Sequence, residues 1–391
     1  MSLANGRPYL AIPGPSVMPD KVIQAMMRPS PNIYEGELHD VTHSLIPDLK
    51  MVAQTKHEVA IYIGNGHAAW EASLANVLSR GDRILVLANG RFGHGWSEVA
   101  AGMHIDIVVE DFGMRASVDP ARVTDILKAD SGHAYKAVLM VHVDTSTGAK
   151  SDVAAVRAAI DAAGHPALFM VDCIASLGCD EYRMDDWGVD VTVSACQKGL
   201  MTPAGLGFVW FNDKADKARE TADLASGYWN WRTRARPQQY YQYFAGTAPT
   251  HHLYGLRAAL DMIKAEGIEH IWDRHTRLSK AVWAAIDAWS ATGPMEPNMA
   301  TPAGRGHSVT SIYLGEGNGD RLRAWCETET GVTLGIGLGR APESAWFRIG
   351  HMGHVNAHMV LGTLSVIEAG LTALDIPHGS GALDAAIRAL G

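Results

Sequence analysis

Between residues 55 and 215 short apolar runs alternate with amphipathic ones. Runs of five to seven apolar and β-branched residues predict strands at 58–63 (EVAIYI), 83–88 (RILVLA), 104–109 (HIDIVV), 137–143 (AVLMVHV), 167–171 (ALFMV), 189–194 (VDVTVS) and 206–211 (LGFVWF). Between them, apolar positions recur at helical spacing over 67–79, 94–102, 119–129 and 152–163. Strands that alternate with helices, and that are apolar on both faces, predict a mostly parallel sheet covered on each side. After residue 250 the pattern changes. Residues 250–291 read as helix, with Gly267 as the break, and strands at 306–314, 332–337 and 345–349 mix with helices at 319–329 and 355–372. The fold class is therefore α/β, a large domain over residues 21–265 followed by a smaller α+β domain over 266–391, with residues 1–20 as an N-terminal segment.

A chain of 391 residues is too long for one compact core, which agrees with two domains. Hydrophobic content of 47% against 19% charged residues supplies ample core material. The net charge of −9 and the lack of a basic tract argue against a nucleic-acid partner. No apolar run approaches the roughly 20 residues that span a bilayer, and the start MSLANGRPYL lacks the regions of a secretory leader. Cys173, Cys179, Cys196 and Cys326 form no CxxC pair and read as reduced thiols in a cytoplasmic protein.

In doubly wound sheets, ligands bind beyond the carboxyl ends of the strands. Here those ends carry unusual residues. Gly64-Asn65-Gly66-His67-Ala68-Ala69 follows the first strand and opens a helix. Glycines and free helix-start N–H groups suit a phosphate. The same letters fit G-x-G-x-x-A of a dinucleotide site, but the next strand ends Leu87-Ala88-Asn89-Gly90 without the acid that would hold a ribose; a plain strand–helix turn is the third reading. Asp144-Thr145-Ser146-Thr147-Gly148 is rich in hydroxyls. Asp172 ends the most apolar strand, where it is either a helix cap or the counter-ion of a buried cation. Lys198 follows a strand within small residues. Alone it is an ordinary loop charge. Together, a lysine, a phosphate cradle, a strand-end aspartate and a hydroxyl-rich loop are what pyridoxal 5′-phosphate requires: the lysine forms the Schiff base and the aspartate pairs with the protonated ring nitrogen.

At this point the chain resembles the class V, fold-type I aminotransferases, closest to the serine–glyoxylate and alanine–glyoxylate group. The matching stretches are PGPSVMP (13–19), GNGHAAWEASLANVLSRGDRILVLANGRFG (64–93), DTSTGA (144–149), VDCIASLG (171–178), SACQKGLMTPAGLG (194–207), TAPTHHLYGL (247–256) and FRIGHMG (347–353). They run in family order over nearly the whole chain, and the step from Asp172 to Lys198 suits the family. The resemblance implies that Lys198 carries the Schiff base and shuttles the proton, and that Asp172 holds the pyridine N–H. It implies Gly66, His67 and Ala68 at the phosphate with Gln197 beside them, Thr145 at the ring hydroxyl or ring edge, and Phe92 stacked on the ring. Arg348 takes the substrate carboxylate as a fork. The resemblance also implies a homodimer with the active site at the interface, in which Thr247 reaches the phosphate of the partner subunit. The family commonly has a tyrosine three residues before that threonine; here the place is Phe244, with Tyr243 adjacent.

The implied reaction is transfer of an amino group from serine or alanine to glyoxylate or pyruvate by a ping-pong Schiff-base route. A donor with a second acidic group would want a second cation, which Arg232, Arg234 or Arg236 in YWNWRTRARPQQYYQYF (228–244) could supply, and Trp229 is a further candidate for substrate contact. Aspartate, an aminophosphonate or pyridoxamine are thus alternative donors. A lyase of the cysteine desulfurase kind would need a mobile cysteine, whereas Cys326 falls in a predicted helix. A dinucleotide-dependent oxidoreductase and a binding protein without catalysis are the readings from other classes. His251-His252 and His351/His354 have no acid or cysteine spaced to complete a zinc site, so no metal is expected.

Overall fold

The computed structural model describes residues 2–391. The chain runs β1 (Tyr9–Ala11), α1 (Asp20–Met26), α2 (Glu37–Val52), β2 (Glu58–Gly64), α3 (Gly66–Val77), β3 (Arg83–Ala88), α4 (Arg91–Gly102), β4 (Asp106–Asp111), α5 (Pro120–Ala129), β5 (Tyr135–Val141), α6 (Val153–Ala162), β6 (Leu168–Asp172), β7 (Val191–Ala195) and β8 (Gly205–Phe211). It continues through α7 (Asp213–Ala218), α8 (Trp231–Ala235), α9 (Thr250–Glu266), α10 (Ile268–Trp289), β9 (Glu296–Pro297), β10 (Val309–Tyr313), α11 (Asn318–Thr330), β11 (Val332–Ile336), β12 (Trp346–Gly350), α12 (Ala357–Ala373) and α13 (Ala382–Leu390).

Two sheets organise it. The first has seven strands in the order β2-β8-β7-β6-β5-β3-β4. All neighbours are parallel except β8, which is antiparallel to both β2 and β7. The strands β5 to β7 lie in the middle and are buried almost throughout, as their continuous apolar runs require. The edge strand β4 instead carries Asp106, Glu110 and Asp111, charges that blunt an open edge. The pattern placed this strand two residues early. His104 adopts φ +63, and Ile105 N–H bonds back to Ala100 O, so both residues still belong to the turn that ends α4. The helices start where polar caps sit: Asn65 accepts from the amides of His67 and Ala68, Asp119 precedes Pro120, and Asp152 accepts from Ala155 N–H.

The second sheet is smaller, in the order β1-β11-β12-β10-β9. Its first member is a surprise. Residues 9–11, in the segment for which the apolar pattern predicts no element, pair in parallel with residues 332–334. A distinct apolar core lies under this sheet, built by α10, α12 and α13. Gly267 breaks the long helical stretch with φ +88. The first turns of α10 (Ile268, Ile271, Trp272) pack into the core of the large sheet, while the rest of that helix, Leu278 to Trp289, packs into the second core. No helix of the described residues is long and apolar enough to cross a membrane.

Candidate active site

Because β8 alone runs against the other strands of the large sheet, the loops after β2, β3, β5, β6 and β7 leave from one edge. A cavity of about 190 Å³ opens there. Seven of the ten residues expected at the site line it: Gly66, His67, Phe92, Thr145, Asp172, Gln197 and Lys198. A larger groove, about 1160 Å³, runs between residues 7–23 and α12. Its walls are mostly apolar and it holds none of these residues, so size alone does not mark the site.

Lys198 sits in the turn between β7 and β8. Cys196 N–H bonds Leu206 O and closes the hairpin, and Met201 N–H bonds the Lys198 carbonyl. Gly199 follows because a Cβ there would lie 2.0 Å from Leu177 O. The Lys198 ammonium donates to Pro13 O at 2.5 Å, and Ser16 Oγ donates to Lys198 O at 2.6 Å. Gly14 has φ +103, and its missing side chain makes room for the Lys198 stem and amine. Burial, reinforced by the charge of Arg348, brings the Lys198 pKa down to about 8, while Asp172 pulls it the other way. A lysine in that range is partly neutral near pH 8 and can act as a nucleophile.

Asp172 ends β6 and is 2% exposed. Its Oδ1 accepts from Ile174 N–H at 2.6 Å and its Oδ2 accepts from Trp70 Nε1–H at 2.8 Å. Burial pushes its pKa up to about 7; those two donors pull it down, and the Asp144 charge raises it further. Asp144 itself is buried and organises the neighbouring loop. It accepts from Phe92 N–H, from Ser146 N–H and from the Ser146 hydroxyl. Thr145 is 4% exposed, lines the cavity, and its hydroxyl has no partner among the described residues. Its carbonyl is taken by Arg348 Nη1 at 2.8 Å, and Arg348 Nε donates to Ile336 O. Arg348 therefore points from β12 of the small sheet toward the loop after β5, with Nη2 unused. Burial lowers its pKa to about 10.

Three expected residues lie elsewhere. Ala68 is just outside the cavity lining, and its amide, like that of His67, is occupied by Asn65 Oδ1, at 3.4 Å and 3.1 Å. An anion at the start of α3 must share these donors with Asn65. Arg348 borders the site through Thr145 rather than lining it. Thr247 is exposed and does not reach this cavity. Phe244 is 1% exposed within the main core, whereas Tyr243 is half-buried beside His43.

The arginines of the 228–244 segment correct an expectation. None is a free cation for substrate. Arg232 and Arg236 are ion-paired with Asp216. Arg234 is 1% exposed, donates to the carbonyls of Tyr228, Ile61 and Tyr243, and lies over the rings of Tyr62 and Tyr228. Trp229 likewise turns inward, with Nε1–H on Glu71. Three of the four histidines noted above have structural partners: His351 bonds Thr310 and His307 O, His252 bonds Ala204 O, and His251 bonds Arg28 O. All four cysteines are free and buried.

Sequence reasoning missed Pro13 and Trp70. PGPSVMP was matched without a role; its first carbonyl meets the lysine. Trp70 lies inside the matched stretch 64–93 and the predicted helix 67–79 but drew no role of its own. Yet it stands four residues after Gly66, which places it on the same helix face and turns it toward the strand ends.

The donor set fits pyridoxal phosphate: a buried lysine of lowered pKa, a buried carboxylate without a cation, an unpartnered threonine hydroxyl, an aromatic wall and a helix start in one cavity. Comparisons agree. The family model for aminotransferase class-V matches residues 8–352. The chain is 36% identical over 385 residues to the serine–glyoxylate aminotransferase of Methylorubrum extorquens, covering 96% of this chain and 94% of that one. It is 35% identical over 370 residues to the L-aspartate–glyoxylate aminotransferase of Paracoccus denitrificans, covering 94% and 91%. The crystal structure of ureidoglycine–glyoxylate aminotransferase from Bacillus subtilis shares the fold, with a TM-score of 0.89 at 24% identity over 100% of this chain and 99% of that one. This chain belongs to the class V aminotransferase family, with the type I fold.

Proposed function

We propose that this aminotransferase uses pyridoxal 5′-phosphate to move an amino group from a small amino acid, serine or alanine, to glyoxylate or pyruvate. The observation that carries this reading is the meeting of Lys198, Asp172, Thr145, Phe92 and the start of α3 around one cavity. When bound, the cofactor supplies an electrophilic carbonyl and an electron sink. Lys198 Nζ, partly neutral through burial, would be the nucleophile that holds the cofactor carbonyl and the base that takes the proton from the substrate Cα. Asp172 would accept the N–H of a protonated ring nitrogen. Phe92 would stack on the ring, Thr145 would donate from its hydroxyl to the ring edge, and Gly66, His67, Ala68 and Gln197 would hold the phosphate. Arg348 offers Nη2 to the substrate carboxylate, held in place by its bonds to Thr145 O and Ile336 O.

The exposure of Thr247 suits a contact in trans, so we place a homodimer with each site completed by Thr247 of the second copy. The buried Phe244 leaves Tyr243 as the hydroxyl beside it. We divide the chain into a large domain over 21–265 and a small one over 266–391, with residues 1–20 as an arm that adds its strand to the small sheet. The buried free thiols suit a cytoplasmic protein.

An aspartate donor is the second reading, favoured by the relative from Paracoccus denitrificans at nearly the same identity. The engagement of Arg232, Arg234 and Arg236 elsewhere favours the smaller donors. The test is borohydride reduction of the purified protein with pyridoxal phosphate, which should fix the cofactor on Lys198, together with loss of half-transamination in Lys198→Ala. Turnover undiminished in that variant would overturn the assignment. Serine, alanine and aspartate are then each screened against glyoxylate, pyruvate and 2-oxoglutarate. Equal or faster rates with 2-oxoglutarate would refute the acceptor assignment.

A further inference from the structure

We propose that Trp70 is a positioning residue for Asp172: its indole N–H fixes the carboxylate rotation and compels that side chain to act as an acceptor toward whatever enters the cavity. The inference rests on the cofactor reading above and extends it to a residue outside the expected set.

The geometry is specific. Asp172 has a donor on each oxygen, Ile174 N–H at Oδ1 and Trp70 Nε1–H at Oδ2. An indole can only donate. Both bonds favour the ionised form over the neutral acid, against the burial that pushes the pKa up to about 7, and leave the remaining lone pairs to accept from a further donor. Asp172 makes no ion pair within the described residues, so these two bonds, with the more distant Lys198 charge adding to them, offset its burial. The ring of Trp70 has no freedom to drift. It is fully buried, stacks on Trp96 at 6.0 Å and 14°, and meets the edge of Phe92 at 6.2 Å.

A bland alternative is that Trp70 merely needed somewhere to put its N–H. Trp96, stacked directly on it and equally buried, leaves its own Nε1 without a partner. Burial of an indole in this protein therefore does not by itself produce such a bond. Trp70 also belongs to α3, one turn beyond Gly66, so the helix whose start faces the cavity also clamps the aspartate.

The test compares the pyridoxal-phosphate-loaded wild type with Trp70→Phe, which keeps a ring but removes the donor, and Trp96→Phe as a packing control. In Trp70→Phe the visible absorption band should form, but the acid limb of the half-reaction pH profile should move up by about 1–2 units, the worth of one hydrogen bond to a charged group. The 15N shift of ring-labelled cofactor should move toward the unprotonated value. Trp96→Phe should leave both readouts in place. Superimposable profiles for Trp70→Phe and wild type, or equal displacement in Trp96→Phe, would overturn the proposal. A second measurement needs no cofactor: in 15N-Trp-labelled wild type one indole N–H signal should titrate with Asp172 and lose that titration in Asp172→Asn. If no indole signal does so, the proposal fails whatever the fate of Trp70→Phe. Failure of the wild type to develop the visible band would instead sink the cofactor reading, while the indole titration would still decide the Trp70–Asp172 link.

Discussion

Lys198→Met should stabilise the cofactor-free protein. Burial holds the Lys198 pKa at about 8 against an ordinary value of 10.5. That difference amounts to about 3 kcal/mol of disfavoured charge. Methionine keeps an unbranched stem of similar length against Gly14 and removes the charge. It also removes the bond from the ammonium to Pro13 O, which costs about 1 kcal/mol. The net gain is about 2 kcal/mol at pH 7. The sign follows from proton counting. The native lysine is the weaker proton binder, so between pH 8 and 10.5 the unfolded chain holds more protons and wild-type stability rises with pH. Below pH 8 the penalty is full. The advantage of the variant should therefore be largest at pH 7 and vanish toward pH 10.5. Paired urea unfolding of the two cofactor-free proteins at pH 7 and pH 10 reads this directly, because the two proteins differ at a single titrating residue. Equal stability at pH 7, or a gap that does not change with pH, would refute the account of a lysine held against its charge.

Other substitutions probe the same site. Gly14→Ala would set a Cβ 2.2 Å from Lys198 Nζ at a backbone φ of +103, so steady-state activity should fall by roughly 100-fold or more as the amine is displaced; unchanged activity would deny the contact. Arg348→Lys loses the Nη2 donor and the two carbonyl bonds that hold it in place, and KM for the oxo acid should rise roughly 10–100-fold with a smaller change in kcat. A change confined to kcat would move the carboxylate site elsewhere. Gly90→Ala would place a Cβ 2.3 Å from the Asp144 carboxyl carbon, dislodging the carboxylate that caps Phe92 N–H. The circular dichroism of the bound cofactor should weaken and its dissociation constant rise; an unaltered spectrum would exclude that coupling.

What could be read along the chain was whatever repeats within a few residues. Strands β2, β3, β5 and β6 follow from runs of apolar residues, and the chemistry at their carboxyl ends from the residues that interrupt those runs. Lys198, Asp172 and Thr145 were legible because a parallel sheet gathers strand ends whatever their spacing. Contacts that depend on distant chain segments were not. The Pro13 carbonyl meets Lys198 across 185 residues, and nothing near either residue announces it. Trp70 resembles any core aromatic until its indole nitrogen is given a direction. Arg232, Arg234 and Arg236 looked like free cations because Asp216 and the carbonyls of Ile61 and Tyr243, which occupy them, are unremarkable in one dimension. The N-terminal fifty residues offered little periodicity, and α2 contains Pro47, a residue that argues against helix from sequence alone.

The pairing of residues 9–11 with residues 332–334 has a temporal side. The arm leaves the ribosome well before its partner strand, which is made about 320 residues later. At synthesis rates of roughly 5–20 residues per second, the arm waits some tens of seconds with nowhere to bind. Closing so long a loop adds little to the equilibrium cost but delays the event. Until it closes, Pro13 has not been delivered to the amine, and the nascent large sheet presents a lysine whose surroundings are only half built. The active site is thus among the last things the polypeptide finishes, and an abortive chain that stops short of β11 carries every strand of the large sheet without a completed lysine environment.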